Sequence, residues 1–291
     1  MATAATAAPR AEVELKRQIG LYAATAITVG NIIGSGIFRS PHSVAEHITS
    51  FPMVISAWLL GGILSICGSL ALSELAVTHP RTGGLYVYIR EAFGDAAGFV
   101  FGWANLWVIK APVIASITSV FALYFCQALH LPDGAQFGVG ATAILLLTAV
   151  NWLGVREGAG TQSLFTTAKL IGIFGLCAAA FLLPASAPPV AAAPAEGAAR
   201  GLLQALALAM IPILFAYDGW TDSTYVAGEV IEPRRTLPIA IVWGTWLVVA
   251  VYLLTNAAYF HVLGSGGVAQ YEAVGAETMQ RLLGGVGAIA L

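Results

Sequence analysis

Residues 28–38 read Thr28-Val29-Gly30-Asn31-Ile32-Ile33-Gly34-Ser35-Gly36-Ile37-Phe38, in the middle of an apolar run over residues 20–47. A glycine inside a helix costs about 1 kcal/mol against alanine. Single glycines in membrane helices often serve close packing, so a packing groove is one interpretation. The density of glycine at mid-run favours another: Gly34-Ser35-Gly36 interrupts the helix. An interruption frees amides at the start of the second half-helix and carbonyls at the end of the first. In hydrocarbon such groups are tolerated only where they line a protein-enclosed or watery cavity. The freed amides carry the positive end of a helix dipole and suit a carboxylate, whereas the freed carbonyls suit an ammonium group. One break therefore offers both poles that a zwitterion needs.

The rest of the chain makes the surrounding run a membrane helix. Of the 291 residues, 58% are hydrophobic and 10% charged, and the mean hydropathy is +0.82. A soluble domain carries roughly 25% charged residues, so most of this surface faces a bilayer. A net charge of −2 gives no reason to expect a nucleic-acid partner. Cys67, Cys126 and Cys177 lie far apart in apolar stretches and read as small buried residues rather than a disulfide or metal framework. The histidines show no ligand spacing, and neither a metal nor a cofactor is expected.

A helix needs about 20 apolar residues to cross the hydrocarbon core. Spans are expected near 20–47, 52–77, 96–126, 137–154, 163–184, 202–229 and 237–263, with an eighth starting near Leu282. With the N-terminus in the cytoplasm, Arg10, Lys16, Arg17, Arg81, Arg90, Arg156, Arg234 and Arg235 are internal, whereas only Arg200 and Arg281 lie in external loops. That asymmetry orients the chain. Arg39, Lys110 and Lys169 fall inside spans. Residues 185–200 are Ala/Pro-rich and read as a flexible external linker. Residues 79–95 read as a cytoplasmic loop with a short interfacial helix.

The sixth span has its own irregularity, Ile211-Pro212-Ile213-Leu214-Phe215-Ala216-Tyr217-Asp218-Gly219-Trp220. Pro212 removes a helical hydrogen bond, and Asp218-Gly219 is a turn-forming pair deep in an apolar run. An aspartate at that depth is expensive and usually functional, although it also serves to cap a second half-helix. Two interrupted spans, five apart, predict two halves of inverted topology with a binding site between the breaks, the arrangement of many secondary transporters.

The ordered motifs carry a resemblance. Gly34-Ser35-Gly36-Ile37-Phe38, Ser73-Glu74-Leu75, Gly83-Gly84-Leu85-Tyr86-Val87-Tyr88, Asn151-Trp152-Leu153-Gly154-Val155-Arg156, Phe215-Ala216-Tyr217-Asp218-Gly219-Trp220 and Glu232-Pro233-Arg234-Arg235-Thr236-Leu237-Pro238 span nearly the whole chain. Together they make it similar to the amino acid–polyamine–organocation superfamily, and most similar to bacterial amino-acid permeases related to the L-type carriers. The resemblance implies an all-α polytopic membrane protein with LeuT-like inverted five-helix repeats and broken helices 1 and 6. Residues 1–18 would then be a cytoplasmic tail, 19–184 the first repeat, 185–200 the external linker and 201–291 a partial second repeat. That expectation includes a truncated second repeat, as in a fragment or a shortened gene product.

By the same resemblance, amides at Gly34, Ser35 and Gly36, with Ile37 adjacent, hold a substrate carboxylate. Carbonyls at Ile32, Phe215 and Asp218 hold its ammonium. Phe215 would gate the site, and Ala216, Tyr217, Gly219 and Trp220 would complete it, with Trp220 lining a side-chain pocket. L-type carriers commonly have glycine where this chain has Asp218, which is open to a role as a hydrogen-bond acceptor or a proton carrier. Lys169 matches a position where a lysine amine replaces a sodium ion in some proton-coupled relatives. The local alternative is snorkelling to the interface across roughly 9–12 Å at 1.5 Å per residue. Lys169, Asp218 and Lys110 are the coupling candidates, with Asn105, Glu74 or Asp218 as partners for Lys110. Glu74 and Glu229 are expected to pair with loop cations.

The function expected is secondary transport of amino acids across the cell membrane by alternating access, proton-coupled or by exchange. An amino-acid sensor on the same scaffold and an inactive fragment are the alternatives. No catalytic residue is expected. The expected partners are an amino acid and the lipid bilayer, with a homo-oligomer left open.

Overall fold

The computed structural model of the chain describes residues 15–129, 131–191 and 201–284. It is built from helices: α1 (Leu21–Ile32), α2 (Gly36–Ala45), α3 (Phe51–Thr78), α4 (Leu85–Phe93), α5 (Asp95–Ala104), α6 (Ala111–Ala128), α7 (Gln136–Leu153), α8 (Val155–Leu182), α9 (Leu202–Ala216), α10 (Pro233–Gln270) and α11 (Val274–Leu283). A π-helical turn over Asn105–Lys110 joins α5 to α6, and a 3-10 stretch over Asp222–Glu229 precedes α10. Among the described residues six helical stretches, counting α1–α2 and α5–α6 as single spans, are long and apolar enough to cross a membrane. The all-α polytopic fold expected from composition is therefore the fold found.

α1, α3 and α10 form the centre, with α8 against α1 and α9 against α2 and α3. Small residues permit the approach. A methyl group added at Gly61 or Gly62 would meet Ile213 or Val249 within 2.8 Å. The three rings of Trp58, Tyr217 and Tyr252 pack with centroids 5.1–5.7 Å apart and are fully buried. By contrast α5, α6 and α7 expose most of their apolar side chains, Trp103, Ile117 and Phe137 among them.

Several boundaries differ from the sequence expectation. α8 starts at Val155, because Gly154 at φ +144 ends α7 and the new helix begins at once, with polar residues in its first turns. The sixth span is not helical to residue 229: the α-helix stops at Ala216 and the chain continues through turns into the 3-10 stretch. α10 runs to Gln270 with a sharp kink at Gly264, where φ is +72. The expected start of an eighth span, near Leu282, falls in the last turn of the amphipathic α11, which ends at Leu283, and its continuation over residues 285–291 lies outside the described residues. Of the linker, residues 185–191 are tied down rather than loose: Val190 N–H donates to Leu263 O at 2.8 Å and Gly266 N–H to Val190 O at 3.0 Å. Residues 79–95 do contain a short helix, α4.

Cys126 and Cys177 are buried, but Cys67 faces outward. Among the described residues neither Glu74 nor Glu229 has a cation within 4.0 Å. Instead the Glu229 backbone carbonyl accepts the N–H groups of Gln18 and Ile19 at 2.8 and 2.9 Å, while Ile231 N–H donates to Ile19 O at 2.9 Å. The entry to α1 is thus stapled to the segment that follows the second irregular helix.

Candidate functional site

The first break falls where the glycine cluster predicts it. α1 ends at Ile32, Gly34 N–H turns back to Ile32 O at 2.8 Å, and α2 begins at Gly36. The N–H groups of Ser35, Gly36 and Ile37 have no hydrogen-bond partner among the described residues. Ser35 is exposed, whereas Ile32, Ile33 and Ile37 are buried. The glycines do not meet the same surroundings. A Cβ at Gly36 would lie 3.1 Å from Ala216, and one at Gly30 would strike the Thr166 hydroxyl, whereas Gly34 has open space around it.

The second break begins one turn after Pro212. α9 runs through the proline to Ala216. Tyr217 N–H still reaches Ile213 O at 3.1 Å, and Asp218 N–H reaches Phe215 O at 3.3 Å. Gly219 then adopts φ +118, a conformation that a side chain disfavours. A Cβ there would sit 2.7 Å from the backbone carbonyl of Asn31.

The two breaks therefore lie against each other crosswise. Gly36 at the start of α2 packs on Ala216 at the end of α9, and Gly219 packs on the end of α1. Two side chains from elsewhere bind the carbonyl ends of the half-helices. The Tyr252 hydroxyl on α10 is 2.9 Å from Ile32 O and 3.1 Å from Ala216 O. The Lys169 ammonium on α8 donates to Gly30 O at 3.2 Å and Ile33 O at 3.0 Å. A lysine at the C-terminal end of a half-helix also meets the negative end of its dipole.

The structure brings some of the expected residues together and sets others apart. Gly36 meets Ala216 and Gly219 meets the end of α1 at the crossing, and Gly34, Ser35 and Asp218 adjoin those contacts along the chain, with the Asp218 side chain exposed. The Tyr217 side chain turns away into the core, where its hydroxyl donates to Trp58 O at 3.2 Å. Trp220 stacks toward α3, its ring 2.8 Å from where a Cβ at Gly68 would stand. Phe215 is 70% exposed and does not cover the crossing in this conformation. The Ile32 carbonyl is already engaged by Gly34 N–H and by Tyr252, whereas Asn31 O beside Gly219 has no hydrogen-bonded partner among the described residues.

Lys110 does not find Asn105, Glu74 or Asp218. Its ammonium bonds both carboxylate oxygens of Asp222, at 2.7 and 3.0 Å. Asp222 lies one turn after Asp218 in the chain, and nothing in its local sequence assigns it a partner, because the π-helical turn that aims Lys110 leaves no mark in local composition. Tyr252 was missed altogether, since a tyrosine in an apolar helix is ordinary.

The amino acid permease family model matches residues 19–291 of the chain. The b(0,+)-type amino acid transporter 1 of Homo sapiens is 35% identical over 273 residues, covering 92% of this chain and 56% of the relative. The Asc-type amino acid transporter 1 of Mus musculus is 35% identical over 286 residues, covering 94% and 53%. A serine/threonine exchanger of Bacillus subtilis is 34% identical over 251 residues, covering 86% and 56%. The chain spans about half the length of these curated relatives, 53–56% of each.

Proposed function

The chain belongs to the amino acid permeases of the amino acid–polyamine–organocation superfamily, and from that premise we propose that it serves to carry amino acids across a cell membrane by alternating access. α1–α8 form the first repeat in this reading, and α9–α11 belong to an inverted second repeat, with the N-terminus in the cytoplasm. The relatives it matches are transporters and an exchanger, which favours carriage over sensing.

One observation carries the site: the amides of Ser35, Gly36 and Ile37 stand without partners, beside the carbonyl-rich ends of α1 and α9. The substrate carboxylate docks on the amides, where the N-terminal dipole of α2 favours negative charge. The ammonium group docks on backbone carbonyls of the α1 end and of the second break, including Phe215 and Asp218. The full Ile32 carbonyl shifts weight toward Asn31 O as a neighbouring acceptor. Phe215 swings over the crossing to close it, and Trp220 borders the side-chain space. Lys169 supplies a fixed positive charge to the α1 end, as a bound cation would, and Asp218, exposed in the second break, is the acid that takes up a transferred proton.

The test is exchange. The full chain in liposomes loaded with one unlabelled amino acid at a time is given a labelled external amino acid. Uptake that accelerates only with particular internal amino acids supports the reading. Uptake independent of every internal amino acid and of a proton gradient contradicts it.

A further inference from the structure

We propose that Lys110 and Asp222 form a charge clasp that holds the segment behind the second break against the α5–α6 helix, and that the conformational step of transport requires this clasp although neither residue touches substrate. The proposal rests on the transport reading above.

The clasp is built rather than incidental. Both carboxylate oxygens of Asp222 accept from the Lys110 ammonium, at 2.7 and 3.0 Å. The same ammonium lies 5.7 Å from the centroid of the Tyr225 ring, within the range of a cation–π contact. Asn105 Nδ2 donates to the Tyr225 hydroxyl at 3.4 Å, so both ends of the π-helical turn Asn105–Lys110 reach the 3-10 stretch Asp222–Glu229. A π-helical turn adds a residue to the local repeat, a rotation of about 100° at 3.6 residues per turn, and such turns concentrate at functional sites.

Elsewhere α5 and α6 pack mainly on α4 and α7. Their outward side chains, such as Trp103 and Ile117, are exposed. The clasp thus links a helix of the first repeat, exposed over most of its surface, to the 3-10 stretch that follows the second break. A lone lysine or aspartate at this depth is costly, so the two charges stay together. In a carrier where one body rocks against another, a charge pair between elements of the two bodies controls how they separate.

The experiment uses the full chain in liposomes with Lys110→Met, Asp222→Asn and the swapped double variant Lys110→Asp/Asp222→Lys, each checked for folding by thermal melting. Equilibrium binding and exchange are measured for the amino acid that the wild-type chain exchanges fastest. Each single variant is expected to lose about tenfold or more in turnover with Kd within about twofold, and the swap to regain about threefold over either single. Wild-type turnover in a folded single variant overturns the proposal. So does a swap no faster than the singles, or a large loss in Kd with turnover unchanged, which makes the pair a substrate ligand. If the singles fail to fold, Lys110→Arg and Asp222→Glu keep the charges while changing their reach. Turnover reduced in both at unchanged Kd supports the clasp, and full turnover in both overturns it. A wild-type chain that neither binds nor exchanges amino acids removes the transport reading and the clasp with it, whereas active wild type with unaffected variants removes the clasp alone.

Discussion

The hydroxyl of Tyr252 lies 2.9 Å from the carbonyl oxygen of Ile32, the last residue of the first half-helix. The same hydroxyl is 3.1 Å from Ala216 O at the end of α9. A phenol has one proton to give, so it is shared between two helix C-termini that would otherwise repel. Tyr252→Phe keeps the ring among Trp58 and Tyr217 and removes only that proton. A buried acceptor left unsatisfied costs about 1–3 kcal/mol. The expected result is amino-acid affinity weakened about tenfold in a folded protein, measured by equilibrium binding; unchanged affinity contradicts it.

Lys169 holds the other side of the same end, through Gly30 O and Ile33 O. Lys169→Met keeps the length of the chain and leaves both carbonyls without their donor. The prediction is a melting temperature lowered by the equivalent of about 1–3 kcal/mol, together with loss of exchange. An unshifted melting curve and full exchange would show that the amine only reaches for the interface.

Gly219 has φ +118 and no room for a methyl group against Asn31. Gly219→Ala is expected to destabilise by about 1–3 kcal/mol from backbone strain alone, with further loss as the two breaks are forced apart. Thermal melting of the purified variant checks it.

The glycines of the first break should not behave alike. Gly36→Val places a branched side chain where a Cβ is already 3.1 Å from Ala216, and binding should be abolished. Gly34→Ala meets nothing within 4 Å, so its melting temperature should stay close to wild type. Equal damage from both changes would mean that backbone freedom, not the crossing of the breaks, explains the cluster.

These contrasts mark what local sequence conveys. The bilayer setting, the spans and the first break follow from apolar length and glycine density, which are properties of neighbours in the chain. The second break was located through Pro212 and Asp218-Gly219, yet the helix passes the proline and unwinds only after Ala216, because the positive φ of Gly219 fixes the turn. The crosswise contact of the breaks, the Tyr252 hydroxyl and the Lys110–Asp222 pair join residues 36 to 220 positions apart. No periodicity encodes such partners, and only packing selects them. Tyr217 illustrates the converse: it lies inside a family motif, but its side chain belongs to the core, and only its backbone reaches the crossing.

The site is tested most directly by equilibrium binding of an amino acid and two of its analogues to the purified full chain, one lacking the α-ammonium group and one with the α-carboxylate amidated. If the amides of Ser35, Gly36 and Ile37 and the carbonyls opposite hold a zwitterion, the parent amino acid binds and each analogue loses about tenfold or more in affinity, as charge-assisted hydrogen bonds are removed. Analogues that bind as well as the parent, or a folded chain that binds no amino acid, would contradict a zwitterion site at the crossing of the two breaks.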